Sequence, residues 1–337
     1  MEKPKILITG AGGFIGSFLV QEAIERGFEV WAGVRSTTKK DYLQWEGLHF
    51  IDLDFSHKEH LFKQIEECKE DFGGWDYIIH NLGKTKESYE GEFMEVNYVF
   101  LRNFVEVLQE TNVQPKQFVY MSSLSSYGLE KENGKRPIEE SQKQNPYSKY
   151  GKSKLLSEQF LQSQKNFPYT ILCPTGVYGP REKDYFLMIK CIQWGMDIRI
   201  GLKEQQLTFI YVKDLVRAIF LSIEHHAVQK RYIIAEDRAY CRKDFKGYVM
   251  QILHKKWVVP IIIPLPIFYA ICLIAEFFGK LGGHLCTLNR DKYKIIAQRN
   301  WRCDTQRAKE ELNFSARYSL EEGLKETIVW YREKGWL

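Results

Sequence analysis

The sequence predicts an α/β protein, a doubly wound parallel sheet with a smaller, mostly helical lobe. Three observations carry this. Short apolar runs alternate with amphipathic runs through the first half of the chain. A glycine-rich turn at residues 10–16 separates the first apolar run from the first amphipathic one. After Gly179 the alternation fails, and from about Ala239 the chain reads as helical and aromatic. Strand–helix alternation covers both faces of a sheet, the setting of parallel strands.

In order, KILITG (residues 5–10) reads as the first strand and GSFLVQEAIERG (16–27) as a helix closed by Gly27. EVWAGVR and LHFIDLD are the second and third strands, and HKEHLFKQIEEC is helical. WDYIIHNLG (75–83) is the fourth strand, and EFMEVNYVFLRNFVEVLQETN (92–112) one long helix. KQFVYMSS is the fifth strand, SKYGKSKLLSEQFLQSQ (148–164) a helix, and YTILCPTGVYG a sixth strand with its turn. REKDYFLMIKCIQWG is helical, 209–226 a short strand and a helix, and RYIIAE a strand that rejoins the sheet. The chain ends in an amphipathic helix.

The expected division is 1–175 for the sheet domain, with 208–236 returning to it. Residues 176–207 and 237–318 form the smaller, substrate-binding lobe, and 319–337 the C-terminal helix. A chain of 337 residues suits one large domain with a lobe. Hydrophobic residues at 44% and charged residues at 27% fit a soluble globular protein. A net charge of +5 is too modest to imply nucleic acid. Seven scattered cysteines with no C-x-x-C pair argue against a disulfide framework and a metal site, and for a reducing cytoplasm. The N-terminus runs straight into a strand, without a signal-peptide pattern.

The segment WVVPIIIPLPIFYAICLIAEFF (257–278) is uncharged up to Ala275. Pro260, Pro264 and Pro266 forbid a regular helix through its first half. The helix that follows, 267–280, is about 20 Å long, short of the ~30 Å apolar span of a bilayer. It is expected as a buried or lid helix, with peripheral membrane contact as the alternative.

Gly10, Gly13 and Gly16 follow a strand and open a helix, the context that a dinucleotide fingerprint requires. Gly10 permits the tight turn, Gly13 lets backbone approach a pyrophosphate, and Gly16 lets helix pack on sheet. Phe14 and Ile15 begin the helix whose free N–H groups meet the phosphates. This makes the sheet domain Rossmann-type. An acidic residue usually follows about 20 residues on and binds the adenosine ribose. Here Arg35, Ser36, Lys39 and Lys40 stand after the second strand, with no Asp or Glu from Trp31 to Lys40. A guanidinium pairs with a 2′-phosphate that a carboxylate would repel, so the expected cofactor is NADP, with NAD as the alternative. Asp52 and Leu53, after the third strand, suit the adenine edge.

Tyr150 and Lys154 are four apart on a predicted helix and share its face. A free tyrosine titrates near 10, and a nearby ammonium lowers that value toward acid–base work. MSSLSSYG (121–128) supplies serines at the carboxyl end of the fifth strand, where ligands of such sheets gather.

With these motifs in order the chain resembles an extended short-chain dehydrogenase/reductase, the NAD-dependent epimerase/dehydratase family, over nearly its whole length. The pieces are TGAGGFIG, IHNLG at 79–83, SSLSSYG at 122–128, YGKSK at 150–154, PTGVYGP at 174–180 and FIYVKDL at 209–215. The resemblance implies Ser123 as the hydroxyl that holds the substrate oxygen and Tyr150 as general acid–base. It implies Lys154 as the residue that tunes the tyrosine and bonds the nicotinamide ribose. Asn81, Leu82 and Gly83 match the turn beside the cofactor, and Asn97 a helix asparagine supporting that turn. Pro174 to Val177 match backbone that meets the nicotinamide amide. Tyr147 competes with Tyr150, but Gly151 stands four residues on, so it is ranked a surface or gate residue.

Three departures bear on the substrate. Gly176 replaces the asparagine, and Leu207 the arginine, with which sugar-nucleotide members touch a diphosphate. The acidic residue of tight NAD binders is absent. The pattern is nearer the 3β-hydroxysteroid dehydrogenase and dihydroflavonol reductase branch. The expectation is NADP(H)-dependent interconversion of a secondary alcohol and a ketone on a small hydrophobic substrate. The alternatives are a nucleotide-sugar epimerase or dehydratase with tightly bound NAD, and a dinucleotide-binding sensor without turnover. The family also implies a homodimer through the helices after the fourth and fifth strands.

Overall fold

The computed structural model describes residues 2–128, 136–281 and 288–337. The chain forms two compact units. The first comprises residues 1–126, 150–173 and 216–232, and the second 127–149, 174–215 and 233–337.

The first unit is built on β1 (Lys5–Thr9), α1 (Phe14–Glu25), β2 (Glu29–Gly33), β3 (His49–Ile51), α2 (Lys58–Phe72) and β4 (Tyr77–His80). Next, α3 (Glu92–Met94) continues through a π-helical turn (Glu95–Val99) into α4 (Phe100–Glu110), followed by β5 (Gln117–Met121). α5 (Lys149–Ser163) and β6 (Tyr169–Pro174) complete its main run. With β11 (Lys230–Ile234), these strands make one seven-stranded sheet in the order β11-β6-β5-β4-β1-β2-β3. β3 through β6 are paired in parallel, with Ile8 of β1 opposite both Ala32 and Ile79. The strands are apolar because both faces are covered: Ile6, Leu7, Ile8, Ile78, Ile79, Phe118 and Val119 are fully buried. The order reverses between β1 and β4, and ligands of open α/β sheets bind at the carboxyl ends beside such a switch.

The second unit holds β7 (Gly176–Tyr178), α6 (Asp184–Gln193), β8 (Met196–Ile200), β9 (Gln206–Leu207) and β10 (Phe209–Tyr211). α7 (Val212–Glu224) leads from it into the first unit. After β11 come β12 (Tyr240–Cys241), α8 (Arg242–Ile252), β13 (Val259–Ile263), α9 (Leu265–Leu281), α10 (Arg290–Ile296), α11 (Gln306–Leu312) and α12 (Leu320–Glu333). Three two-stranded ribbons, β7–β10, β9–β12 and β8–β13, join these helices around an aromatic core that includes Tyr178, Phe209, Tyr211, Tyr240 and Tyr331. A capping box starts α12: the Ser319 hydroxyl accepts from Glu322 N–H, and the Glu322 carboxylate accepts from Ser319 N–H at 2.9 Å.

Two expectations are corrected. The segment from residue 239 is not purely helical, because β12 and β13 intervene. Residues 259–263 pair in parallel with β8, where the missing N–H of Pro260 is tolerated on a two-stranded ribbon. α9 is not a buried helix: of its large apolar side chains only Phe268 and Cys272 are buried. It begins two residues before the expected start, since proline is accommodated in a first helical turn. None of the described helices is long and apolar enough to cross a membrane. No disulfide is found among the described cysteines; Cys286 lies outside the described residues.

Candidate active site

The turn after β1 and the turn after β4 meet. Gly10 has φ +67°, and a Cβ there would lie 3.0 Å from Asn81 O and 3.1 Å from Leu82 Cα. Only glycine suits both the conformation and the spacing. A Cβ on Gly16 would run into the Gly10 carbonyl oxygen and come within 2.8 Å of Ala11 Cα, so α1 starts pressed onto the turn. Gly13 is the N-cap of α1, no side chain caps it, and the first turn of the helix has no carboxylate. Phe14, Ile15 and Gly16 therefore open a helix whose amides no side chain covers at the cap.

The basic loop lies over this turn. A Cβ on Gly12 would strike Thr38 Cγ2 and lie 3.8 Å from Lys39 O. Asp52 anchors the loop, its carboxylate accepting from Ser36 N–H at 2.7 Å, while Leu53 is buried. Lys40 sits on the Phe50 ring, 3.9 Å from its centroid. Arg35 and Lys39 are exposed, and no ion pair holds either among the described residues.

The Leu82 N–H donates to Thr9 Oγ1 at 3.1 Å, and Thr9 Oγ1 also meets His80 Nδ1 at 3.1 Å. His80 is buried, and desolvation helped by the Lys154 charge holds it down to about 3, so the ring is neutral. Sequence reading missed this pair; a Thr and a His at the ends of two adjacent strands are the only trace it leaves. Asn97 braces the next turn. Its Oδ1 accepts from Lys84 N–H at 2.8 Å, and its Nδ2 donates to Lys84 O at 3.1 Å and to Ser153 Oγ at 3.0 Å. The Ser157 hydroxyl donates to Asn97 O at 2.8 Å. Asn97 lies in the π-helical turn, not in the regular helix expected. Such a turn re-aims side chains and is frequent at functional sites.

Ser123, Tyr150 and Lys154 all belong to the first unit. Ser123 stands beside the half-buried Tyr150 phenol and favours its ionised form. Lys154 is buried on the same face of α5, and a Cβ on Gly83 would lie 3.2 Å from its Nζ. The expected lowering of Tyr150 by Lys154 is not what this arrangement does. Burial pushes the Tyr150 phenol up to about 12, opposed by the neighbouring Ser123. The reason is geometric: Lys154 Nζ donates to Met121 O at 2.7 Å and stands over the Tyr120 ring at 4.8 Å. Desolvation brings Lys154 itself down to about 8, against the pull of Glu158.

Glu158 was not singled out from the sequence. It is fully buried one turn beyond Lys154, hydrogen-bonded to Ser122, 3.6 Å from Cys173 Sγ and 3.5 Å from Arg231 Nη1. Only its place four residues after the lysine could have drawn attention to it.

In the second unit, Pro174 and Val177 lie at the end of β6 and in β7, a strand paired in parallel with β10. The Thr175 N–H donates to Ile234 O at 3.1 Å and its hydroxyl to Thr208 O at 2.8 Å. Gly176 leaves no room for a side chain, because its Cβ would run into the Tyr185 hydroxyl. Tyr147 is an exposed residue, as its ranking required.

The donor set fits a nicotinamide dinucleotide. It has a side-chain-free cradle at residues 10–16, an uncapped helix start and exposed cations beside them. No group of three metal-ligating side chains occurs among the described residues.

Comparison with known proteins agrees. A sterol-4-alpha-carboxylate 3-dehydrogenase, decarboxylating, from Dictyostelium discoideum is 24% identical over 95% of this chain and 99% of its own. An N-acetyl-alpha-D-glucosaminyl-diphospho-ditrans,octacis-undecaprenol 4-epimerase from Escherichia coli O157:H7 is 23% identical over 96% of this chain and 94% of its own. The UDP-glucose 4-epimerase of Thermotoga maritima, solved with UDP-glucose, superposes with a TM-score of 0.76 at 23% identity, covering 98% of this chain and 99% of that one. The UDP-glucuronic acid 4-epimerase of Bacillus cereus, solved with NAD, gives 0.76 at 20% identity, with coverage of 98% and 99%. The profile of the NAD dependent epimerase/dehydratase family matches residues 6–235. With that match across a dinucleotide cradle and a Ser-Tyr-Lys set, the chain belongs to the NAD dependent epimerase/dehydratase family, an NAD(P)-dependent enzyme of the extended short-chain dehydrogenase/reductase type.

Proposed function

We propose that the protein is an NADP(H)-dependent oxidoreductase that interconverts a secondary alcohol and a ketone on a small, apolar substrate. The observation that carries this reading is the buried Lys154 on the same face of α5 as Tyr150, with its Nζ bonded to Met121 O at the end of β5, two residues before Ser123.

When bound, the dinucleotide supplies the hydride in the reducing direction. Gly10, Gly13, Phe14, Ile15 and Gly16 hold its phosphates, and Arg35 and Lys39 its 2′-phosphate. Asp52 and Leu53 line the adenine side, and Asn81, Leu82, Gly83, Pro174 and Val177 the rest of its path. Ser123 and Tyr150 donate hydrogen bonds to the substrate carbonyl oxygen, where negative charge develops, and Tyr150 gives up its proton there. Lys154, once turned from Met121 O toward the reaction, favours the phenolate that Tyr150 leaves.

Two features support an alcohol–ketone substrate over a sugar nucleotide. The Tyr185 hydroxyl occupies the space into which a side chain at position 176 would project, so the usual diphosphate-touching asparagine would have to displace it. Leu207, where an arginine would serve the same diphosphate, lies in a ribbon opposite Tyr240. The dehydrogenase relative named for a sterol carboxylate points the same way.

The test is a panel of ketones, sterols and nucleotide sugars, following nicotinamide absorbance together with epimer analysis. NADPH consumption with an apolar ketone is expected, and Tyr150→Phe lowers the rate by about 10²–10⁴-fold. Unchanged turnover in that variant overturns the mechanism, and epimer formation without net absorbance change overturns the substrate class.

A further inference from the structure

The second unit carries a surface that holds none of the Ser-Tyr-Lys set. On α9, Ile267, Ile271, Ile274 and Phe278 recur at spacings of four, three and four, so they form one helix face, and all are exposed. Phe278 is 65% and Ile274 57% exposed. The helix's acidic residue Glu276 is turned away and bound to Arg290 Nε at 3.0 Å and Nη2 at 2.9 Å. Trp257, 72% exposed, precedes β13, whose Ile261 and Ile262 are exposed too. A run of this kind exceeds the scattered apolar residues of an ordinary soluble surface.

Beside it lies a cationic pocket of about 190 Å³, where Arg199, Lys203, Arg242, Lys243 and Lys246 face only two carboxylates, Asp197 and Glu204. Asp197 is buried and already shared: Arg199 Nε lies at 2.8 Å, Arg242 Nη2 at 3.5 Å and Lys246 Nζ at 3.8 Å. Arg242 Nε is buried with no hydrogen-bond partner among the described residues. The pocket and the apolar face share an edge. Leu202, on the pocket's lip, is 80% exposed, and the Gly201 N–H donates to Ile263 O at 2.8 Å. A Cβ on Gly201 would lie 3.4 Å from Leu265 Cγ in the first turn of α9.

We propose that this surface docks on a bilayer that contains anionic phospholipid. The outer side of α9 enters the apolar border, and the pocket takes lipid phosphate. The charge pattern selects this occupant. A second copy of the chain, meeting the face two-fold, would bring the same surplus of cations and no anion for the pocket. A membrane supplies both the apolar border and the phosphates. With 17 residues α9 spans roughly 25 Å, short of the ~30 Å hydrocarbon core, so it lies in the interface and does not cross. Exposed Trp257 suits the headgroup level. The proposal stands apart from the assignment of the catalytic residues, which are in the first unit.

The experiment is flotation of the full-length protein with vesicles of phosphatidylcholine alone or mixed with phosphatidylglycerol. Wild type floats with the anionic vesicles and partitions about tenfold less onto neutral ones. Ile274→Asp/Phe278→Asp abolishes flotation on both. Lys203→Glu/Lys243→Glu, two exposed changes at the pocket, brings the anionic partition down to the neutral level. Melting temperatures of both variants report that the fold is kept. Absence of wild-type flotation overturns the proposal, as does flotation of Ile274→Asp/Phe278→Asp at the wild-type level. A solution dimer that this variant splits, with no vesicle binding, assigns the face to a second copy instead. Equal partition of wild type onto both vesicles removes the lipid-phosphate role of the pocket.

Discussion

At the scale of single residues, the site sets two groups, buried Lys154 and half-buried Tyr150, against their ordinary ionisation. Lys154 is held down to about 8 from 10.5. Between these values the unfolded chain binds a proton that the folded protein does not, so stability rises with pH across that window. Below pH 8 both states are protonated and the folded one bears the full desolvation cost, about 3 kcal/mol from the width of the window. Lys154→Met removes that cost and should unfold at higher denaturant than wild type at pH 7, with the gap closing as pH rises through 8 toward 10. A gap that is constant with pH would refute the burial account. Tyr150 has the opposite sign: its phenol, raised to about 12 from 10.0, keeps its proton while the unfolded chain loses one, so stability falls as pH rises above 10. Arg35 is the residue proposed to hold the cofactor's 2′-phosphate. Arg35→Glu should weaken NADPH binding by about 10–100-fold, from loss of charge-assisted hydrogen bonds, and leave NADH binding nearly unchanged. Fluorescence titration with both nucleotides measures it, and equal losses for the two would take the 2′-phosphate away from Arg35.

At the scale of elements, the glycine turn, β4 and α5 were legible because each depends on local pattern. Gly10, Gly13 and Gly16 announce a turn wherever they follow a strand, and Tyr150 and Lys154 share a face in any regular helix. The π-helical turn was not legible. Its shifted hydrogen bonds need no special residue, so EVNYV reads as ordinary helix, yet it is what carries Asn97 toward Lys84 and Ser153. The fit of β7 against α6 was equally hidden. A Cβ at 176 meets the Tyr185 hydroxyl, so Gly176→Ala should cost about 1–3 kcal/mol through overpacking. Tyr185→Phe in the same chain removes the colliding atom and should recover most of the loss. Thermal denaturation of the two single variants and the double variant shows the coupling, and strict additivity would mean the two residues do not meet.

At the scale of the whole molecule, the chain divides its work between two compact units with different surfaces. The first buries its apolar strands on both faces. The second leaves the outer face of α9 exposed. Ile274 and Phe278 make little buried contact, so Ile274→Asp/Phe278→Asp should melt within about 2 °C of wild type even as vesicle binding is lost. Calorimetry checks this, and a large drop would show the face to be packed in solution.

By itself the sequence determined the alternation of strands and helices, the dinucleotide turn, the basic loop after β2 and the Ser-Tyr-Lys set. All of these rest on spacing within a few tens of residues, where 3.6-residue periodicity and glycine conformation act locally. Tertiary structure decided what depends on distant partners. It set the direction of Tyr150's shift, through its burial and the turn of Lys154 toward Met121 O. It brought Glu158 together with Ser122, Cys173 and Arg231. It left α9 in solvent, where hydrophobicity alone predicts burial. An apolar residue is inside only if another element covers it, and for α9 the fold provides such a cover at Phe268 and Cys272 alone among its large apolar side chains.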